Sequence, residues 1–441
     1  MTFSETNAQP VARNQVHLQA AITGWEDELL VAATLFDGLA SDSTGGIGIT
    51  RDTYGIGEQS AHDRVRRFGN QLNLEIQTDD ALNLYLTFPG QDRSLAAAFT
   101  GSHLDSVPCG GNFDGAAGVV AGLTIFARWR RLGYTPPHDC TVMAIRAEES
   151  AWFPVSYIGS KAAFGLLTGE ALSVVREDTG LTLAHHIETL GGAPTRLMEG
   201  KAFLNPQAIC RFVEVHIEQG PLLVDQGISV GIVNGIRGAF RFRHAEANGQ
   251  YAHSGAETRA TRKDAVLATA KLITALDKDW DDMEAEGRDV VVTCGKFFTD
   301  AVRADFSKVA GHVQFTLDVR SFETETLTKM EARVRGRALE ISAESGVDLS
   351  LGEVTRSVPA EMNRTLREAL KSTAQMLNIQ VLEMPSGAGH DASTFAGQDI
   401  PTAMIFVRNE NGSHNPDEAM TLGDLKDAMQ LLEVLMQQPV V

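Results

Sequence analysis

The chain is short of cysteine, of long apolar runs and of positive charge, and each shortage narrows what it can be. Its four cysteines (Cys109, Cys140, Cys210, Cys294) are scattered along 441 residues without a C-x-x-C pair. That argues against a disulfide framework and fits reduced thiols in a cytoplasm. The longest apolar stretches have the length of strands, well below the ~20 residues that span a bilayer. The first residues, MTFSETNAQPVARNQ, have no basic segment followed by an apolar core, so no secretory signal is expected. Lysine and arginine number 38 against 57 aspartates and glutamates, a net charge of −19. This argues against nucleic acid as a partner, while a small substrate stays open because a local basic pocket can sit in an acidic protein. No low-complexity tract and no internal repeat is evident.

What is present is enough chain for two domains. Residues 15–40 read as an amphipathic helix and 60–74 as another. From LNLYLTF (82–88) onward strands and helices alternate: LAAAFTGS, then the helical GAAGVVAGLTIFARWRRLG, then CTVMAIRAEES, GSKAAFGLL and FVEVHIEQG. This rhythm predicts an α/β fold, a mostly parallel sheet sandwiched by helices. Sites in such folds form beyond the carboxyl ends of the strands. The texture changes after residue 228 to hairpin-like strands with helices over 261–278 and 323–345. The expected division is a larger domain of residues 1–228 and 350–441, with a smaller α+β domain, 229–349, inserted in it.

The stretch GSHLDSVPCGGNFDGAAG (101–118) places His103, Asp105 and Asp114 on permissive backbone. Alone, Asp114 reads more readily as the cap of the helix that follows, with His103 a satisfied loop histidine. Other groups fall at comparable places. Glu148 and Glu149 end the strand 140–147, His216 lies near the end of 212–217, and His414 follows 403–408. All would reach the carboxyl edge of one sheet. Five of them suit two divalent ions, with His103, Glu149, His216 and His414 as terminal ligands and Asp114 bridging. Imidazole with carboxylate favours zinc, manganese, cobalt or nickel over calcium. Asp105 is placed to orient a ligand imidazole. Successive side chains at a strand end point opposite ways, so one glutamate of the pair can bind metal while the other faces substrate as general base.

The motifs GSHLDSVPCGGNFDG, VEVHIEQGPLL, PSGAGHDA and GSHNPDE resemble those of the hydantoinase/carbamoylase-type amidases. These are dinuclear metallohydrolases that include N-carbamoyl-L-amino-acid hydrolases, β-ureidopropionases and allantoate amidohydrolases. The resemblance runs from about residue 45 to about residue 420. It implies a catalytic domain with two metal ions per subunit, an inserted lid domain that also forms a homodimer, and Glu148 as the catalytic base. It further implies that Gln219, Arg320 and His390 contact substrate. Arg320 would grip a substrate carboxylate, and His253 would polarise the scissile carbonyl.

Three departures alter the expected pocket. Ser307 stands where an asparagine is usual. HSGAETR, with Glu257 and Arg259, replaces the usual run after the lid histidine, and Ser150, Ala151 and Trp152 follow the glutamates. The expected activity is hydrolysis of a linear amide or ureido C–N bond in a small carboxylate, most simply an N-carbamoyl amino acid or related ureido acid. An aminoacylase or dipeptidase-like hydrolase would use the same metal set. A non-catalytic dimeric binding protein would have lost ligands or the base, and here all six positions are present.

Overall fold

Four strands buried on both faces, Cys140–Ile145, Ala97–His103, Ile209–Ile217 and Thr402–Val407, run parallel through the middle of one sheet. Coverage on both sides is why they read as near-continuous apolar runs rather than alternating ones. Leu84–Phe88 and Glu75–Thr78 extend this sheet antiparallel on one side, and Val230–Ile236 does so on the other. The computed structural model describes residues 24–43 and 46–439. It divides the chain into two compact units, one holding the residues up to Asn234 and from Met362, the other Gly235–Glu361.

In the larger unit, Glu26–Ser41, Ala116–Leu132 and Leu422–Gln437 share one apolar core with the sheet. Trp129 is fully buried there, and its indole N–H donates to Glu433 Oε1 at 2.9 Å. The helix expected over 15–40 is Glu26–Ser41, with 15–23 outside the described residues, and the one expected over 60–74 is Ile56–Gln71. A correction falls at Asp114. The cap of Ala116–Leu132 is Gly115, at φ +65, and no side chain caps that end. Asp114 is turned away to the imidazoles described below.

The smaller unit is built on the antiparallel pair Gly238–Asn248 and His312–Ser321, with a bulge between Phe315 and Leu317. Alternating burial along His312–Ser321 marks a sheet covered on one face, where the helices Ala265–Ala285 and Thr324–Ser345 supply the apolar cover. The first of these starts later than the expected residue 261, because Asp264 accepts the Leu267 N–H at 3.1 Å and caps the helix. No helix among the described residues is long and apolar enough to cross a membrane.

Candidate metal centre

Because the four central strands are parallel, their carboxyl ends meet at one edge of the larger unit. His103 is the last residue of its strand, His216 the last but one of its own, and the loops after Ile145 and Val407 carry the two glutamates and His414. Two clusters result. Ligand-capable atoms of His103, Asp114 and His216 all lie within 4.8 Å of one another, and so do those of Asp114, Glu149 and His414. Asp114 belongs to both. The glutamates do not end a strand as expected. The strand stops at Ile145, and Ala147, at φ 56, bends the chain so that both project from a loop. That bend takes Glu148 and Glu149 out of the regular alternation of a strand.

The geometry of the first cluster asks for a cation. Nδ1 of His103 lies 3.0 Å from the Asp105 carbonyl, and Nδ1 of His216 lies 2.9 Å from the Ile217 carbonyl. A carbonyl only accepts, so each Nδ1 carries a proton and each Nε2 is turned inward, that of His216 also accepting the Gly115 N–H at 3.2 Å. The two Nε2 atoms are 3.5 Å apart and face Asp114 Oδ1 at 3.4 and 3.2 Å. Asp114 Oδ1 is buried and receives no hydrogen bond. Two imidazole nitrogens and an unpartnered carboxylate oxygen thus converge on one spot, a donor set that suits a divalent ion. Burial disfavours a charge on His103, but Asp105 and Asp114 outweigh it and hold the imidazole pKa well above its usual value.

The second cluster is more open. His414 Nε2 lies 3.4 Å from both Asp114 Oδ2 and Glu149 Oε1, at φ 61 on a residue that is half exposed. Glu148 is half-buried, with Oε2 4.0 Å from His103 Nε2. Burial first, then the neighbouring Glu149 and Asp391, push its pKa well above the ordinary carboxylate value, although His103 pulls the other way.

Asp105 anchors this edge. Its carboxylate lies 3.3 Å from His103 Nδ1 and accepts the backbone N–H groups of Glu148 and Glu149 and the Thr53 hydroxyl. Gln219, at φ 63, turns its amide onto Asp114 Oδ2 at 2.9 Å, and its Oε1 is buried without a partner. His390 packs its ring 4.5 Å from that of His216 and meets Ser386 Oγ at 2.9 Å. Burial, then His216, keep it neutral, far below the usual imidazole pKa. Gly115 shows how tight the packing is: a Cβ there would lie 2.5 Å from the His103 ring.

Sequence reading missed Ser413 and Glu418, which also meet Asp114. They stand inside the GSHNPDE motif, whose histidine drew the attention. His253 and Arg320 fall in the smaller unit. His253 sits opposite Lys308 in a short pairing, beside Ser307, whose carbonyl accepts the Ser254 N–H at 3.0 Å. The Arg320 guanidinium rests on Asp318 at 2.9 Å.

A family model described as Peptidase family M20/M25/M40 matches residues 99–438. An N-carbamoyl-L-amino acid amidohydrolase of Geobacillus stearothermophilus is 32% identical over 387 residues, 87% of this chain and 92% of that one. An allantoate amidohydrolase of Escherichia coli is 30% identical over 400 residues, 89% and 93% of the two chains. In fold, the chain matches a hydantoinase/carbamoylase-family amidase of Burkholderia multivorans with a TM-score of 0.81, 24% identity and coverage of 94% and 98%. The chain belongs to peptidase family M20/M25/M40, a family of metal-dependent hydrolases. Within it the chain is an amidohydrolase, acting on C–N bonds other than peptide bonds.

Proposed function

We propose that this edge holds two divalent ions and hydrolyses the ureido C–N bond of an N-carbamoyl amino acid or a related ureido acid. One observation carries the reading: the two oxygens of Asp114 face different ligand sets. Oδ1 meets His103 and His216, and Oδ2 meets His414, which pairs with Glu149. That is the placement of a carboxylate shared between two ions. Imidazole with carboxylate suits zinc, manganese, cobalt or nickel. Such ions, when bound, lower the pKa of a coordinated water and polarise a carbonyl oxygen.

The chain's own residues do the rest. Glu148, half-buried and with a raised affinity for protons, takes a proton from the attacking water and returns it to the departing nitrogen. Asp105 holds the Glu148 backbone and the His103 ring in register. Gln219 has a buried amide oxygen free to accept a substrate N–H. His390, kept neutral, packs against the His216 ring. As the resemblance implies, we assign Arg320 to the substrate carboxylate and His253 to the carbonyl oxygen, the smaller unit to closure and dimerisation, and the cytoplasm as the place of work. The relatives' names support the ureido class.

The test is ammonia release by metal-reconstituted enzyme from N-carbamoyl amino acids, N-carbamoyl-β-alanine and allantoate, with acid release from N-acetyl amino acids measured beside it. Ammonia from a ureido substrate supports the proposal. Cleavage of acyl substrates alone would move the chain to the aminoacylase reading, and bound ligand without turnover to a binding protein.

A further inference from the structure

We propose that Glu418 is a positioning residue that fixes both the backbone and the carboxylate of Asp114 for metal binding. The inference rests on the reading of Asp114 as the ligand shared between two ions. Glu418 follows His414 by four residues and is buried. Its Oε1 accepts two backbone N–H groups, from Phe113 at 2.9 Å and Asp114 at 3.2 Å. Its Oε2 lies 2.6 Å from Ser413 Oγ, and the same hydroxyl oxygen lies 2.6 Å from Asp114 Oδ2. One side chain therefore grips the Asp114 main chain directly and reaches the Asp114 carboxylate across a hydroxyl for whose single hydrogen the two carboxylates compete.

Two further features show that this contact is built in. A Cβ at Gly111 would lie 2.1 Å from Glu418 Oε1, so only a residue without a side chain lets the carboxylate lie against the loop. Arg51 is fully buried nearby, its Nε donating to the Leu104 carbonyl at 2.7 Å and its Nη1 to Asn112 Oδ1 at 3.0 Å. Its charge acts on Asp114, Glu418 and Asp105 together. A carboxylate buried beside another is costly without a counter-charge, and Arg51 supplies one. The need is physical. A bridging carboxylate has to present its oxygens in two directions, yet Asp114 sits on a glycine-rich loop where the following helix holds only its carbonyl, through the Ala116 N–H at 2.7 Å, and leaves its own N–H to another partner. Glu418 provides that rigidity from the far end of the chain.

The experiment is titration of the metal-free protein with manganese, followed by calorimetry, and with cobalt, followed by its visible absorption. The variants are Glu418→Ala, Glu418→Gln and Gly111→Ala. Glutamine can still accept both N–H groups and donate to Ser413, freeing the hydroxyl hydrogen for Asp114. Outer partners of metal ligands contribute about 10–100-fold to metal affinity, so Glu418→Ala and Gly111→Ala should bind that much more weakly, with a changed cobalt spectrum. Glu418→Gln should restore most of the affinity. Wild-type affinity and spectrum in a folded Glu418→Ala protein would overturn the proposal, as would equal loss in the glutamine variant. If Glu418→Ala does not fold, Gly111→Ala decides alone, and unchanged binding there overturns the proposal. A wild-type protein that binds no metal would instead remove the reading on which the inference rests.

Discussion

Asp105 ties Glu148 to His103: its Oδ1 accepts the Glu148 backbone N–H at 3.0 Å, and its carbonyl lies 3.0 Å from His103 Nδ1. The proposed base and the first imidazole are thereby set relative to each other by one short residue. Glu148→Gln keeps the backbone contact and the ligand set but cannot carry the proton. It should bind divalent metal as the wild type does and lose about 10²–10⁴-fold in kcat. Metal content and turnover measured on one preparation check this; retained turnover would take the base role from Glu148.

Removing the metal tests the convergence of lone pairs at Asp114. Chelation should abolish activity and lower the unfolding temperature of the larger unit. A divalent ion supplied at about 1,000 times its Kd should restore about 4 kcal/mol of stability. A melting curve indifferent to chelator and ion would show that the cluster is satisfied without a cation.

Gly115 combines a left-handed φ of +65 with a Cβ position 2.5 Å from the His103 ring. Gly115→Ala should cost about 1–3 kcal/mol and displace the imidazole, weakening metal binding as well. Thermal unfolding with and without manganese separates the two effects. A variant with unchanged melting and unchanged metal response would contradict this packing.

Away from the centre, Glu433 lies buried against Trp129 and Arg128, and burial pushes its pKa up to about 7 from 4.5 despite the pull of Arg128. The folded state holds this proton more tightly than the unfolded one. The stabilising contribution is therefore complete below about pH 4.5 and is lost as pH rises through about 7, a change on the order of 3 kcal/mol. Glu433→Gln keeps an acceptor for the Trp129 indole and removes the titration. Its stability relative to wild type should rise by about that amount between pH 4.5 and 8 in denaturant titrations. A pH-independent difference would refute the assignment.

Much of the centre was legible in the chain because its chemistry is local to strand ends. His103, His216 and His414 each follow or close an apolar run, and parallel strands must bring such ends to one edge. The pairing of the two glutamates was legible as well, though not the bend at Ala147 that takes both out of the strand. Asp114 was legible as a ligand or a cap, and the tertiary structure removed the second: Gly115 became the cap, and the carboxylate turned to three imidazoles.

By itself, then, the order of residues determined the alternation of strand and helix, the inserted α+β segment and the gathering of imidazoles and carboxylates at the strand ends. These depend on periodicity and on neighbours a few residues away. Only the tertiary structure decided that Glu418 and Ser413 close on Asp114 across about 300 positions, that Gln219 points its amide at the same carboxylate, and that Arg320 rests on Asp318. A hydrogen bond between residues distant in the chain leaves no trace in local pattern, because either partner reads alone as an ordinary polar loop residue.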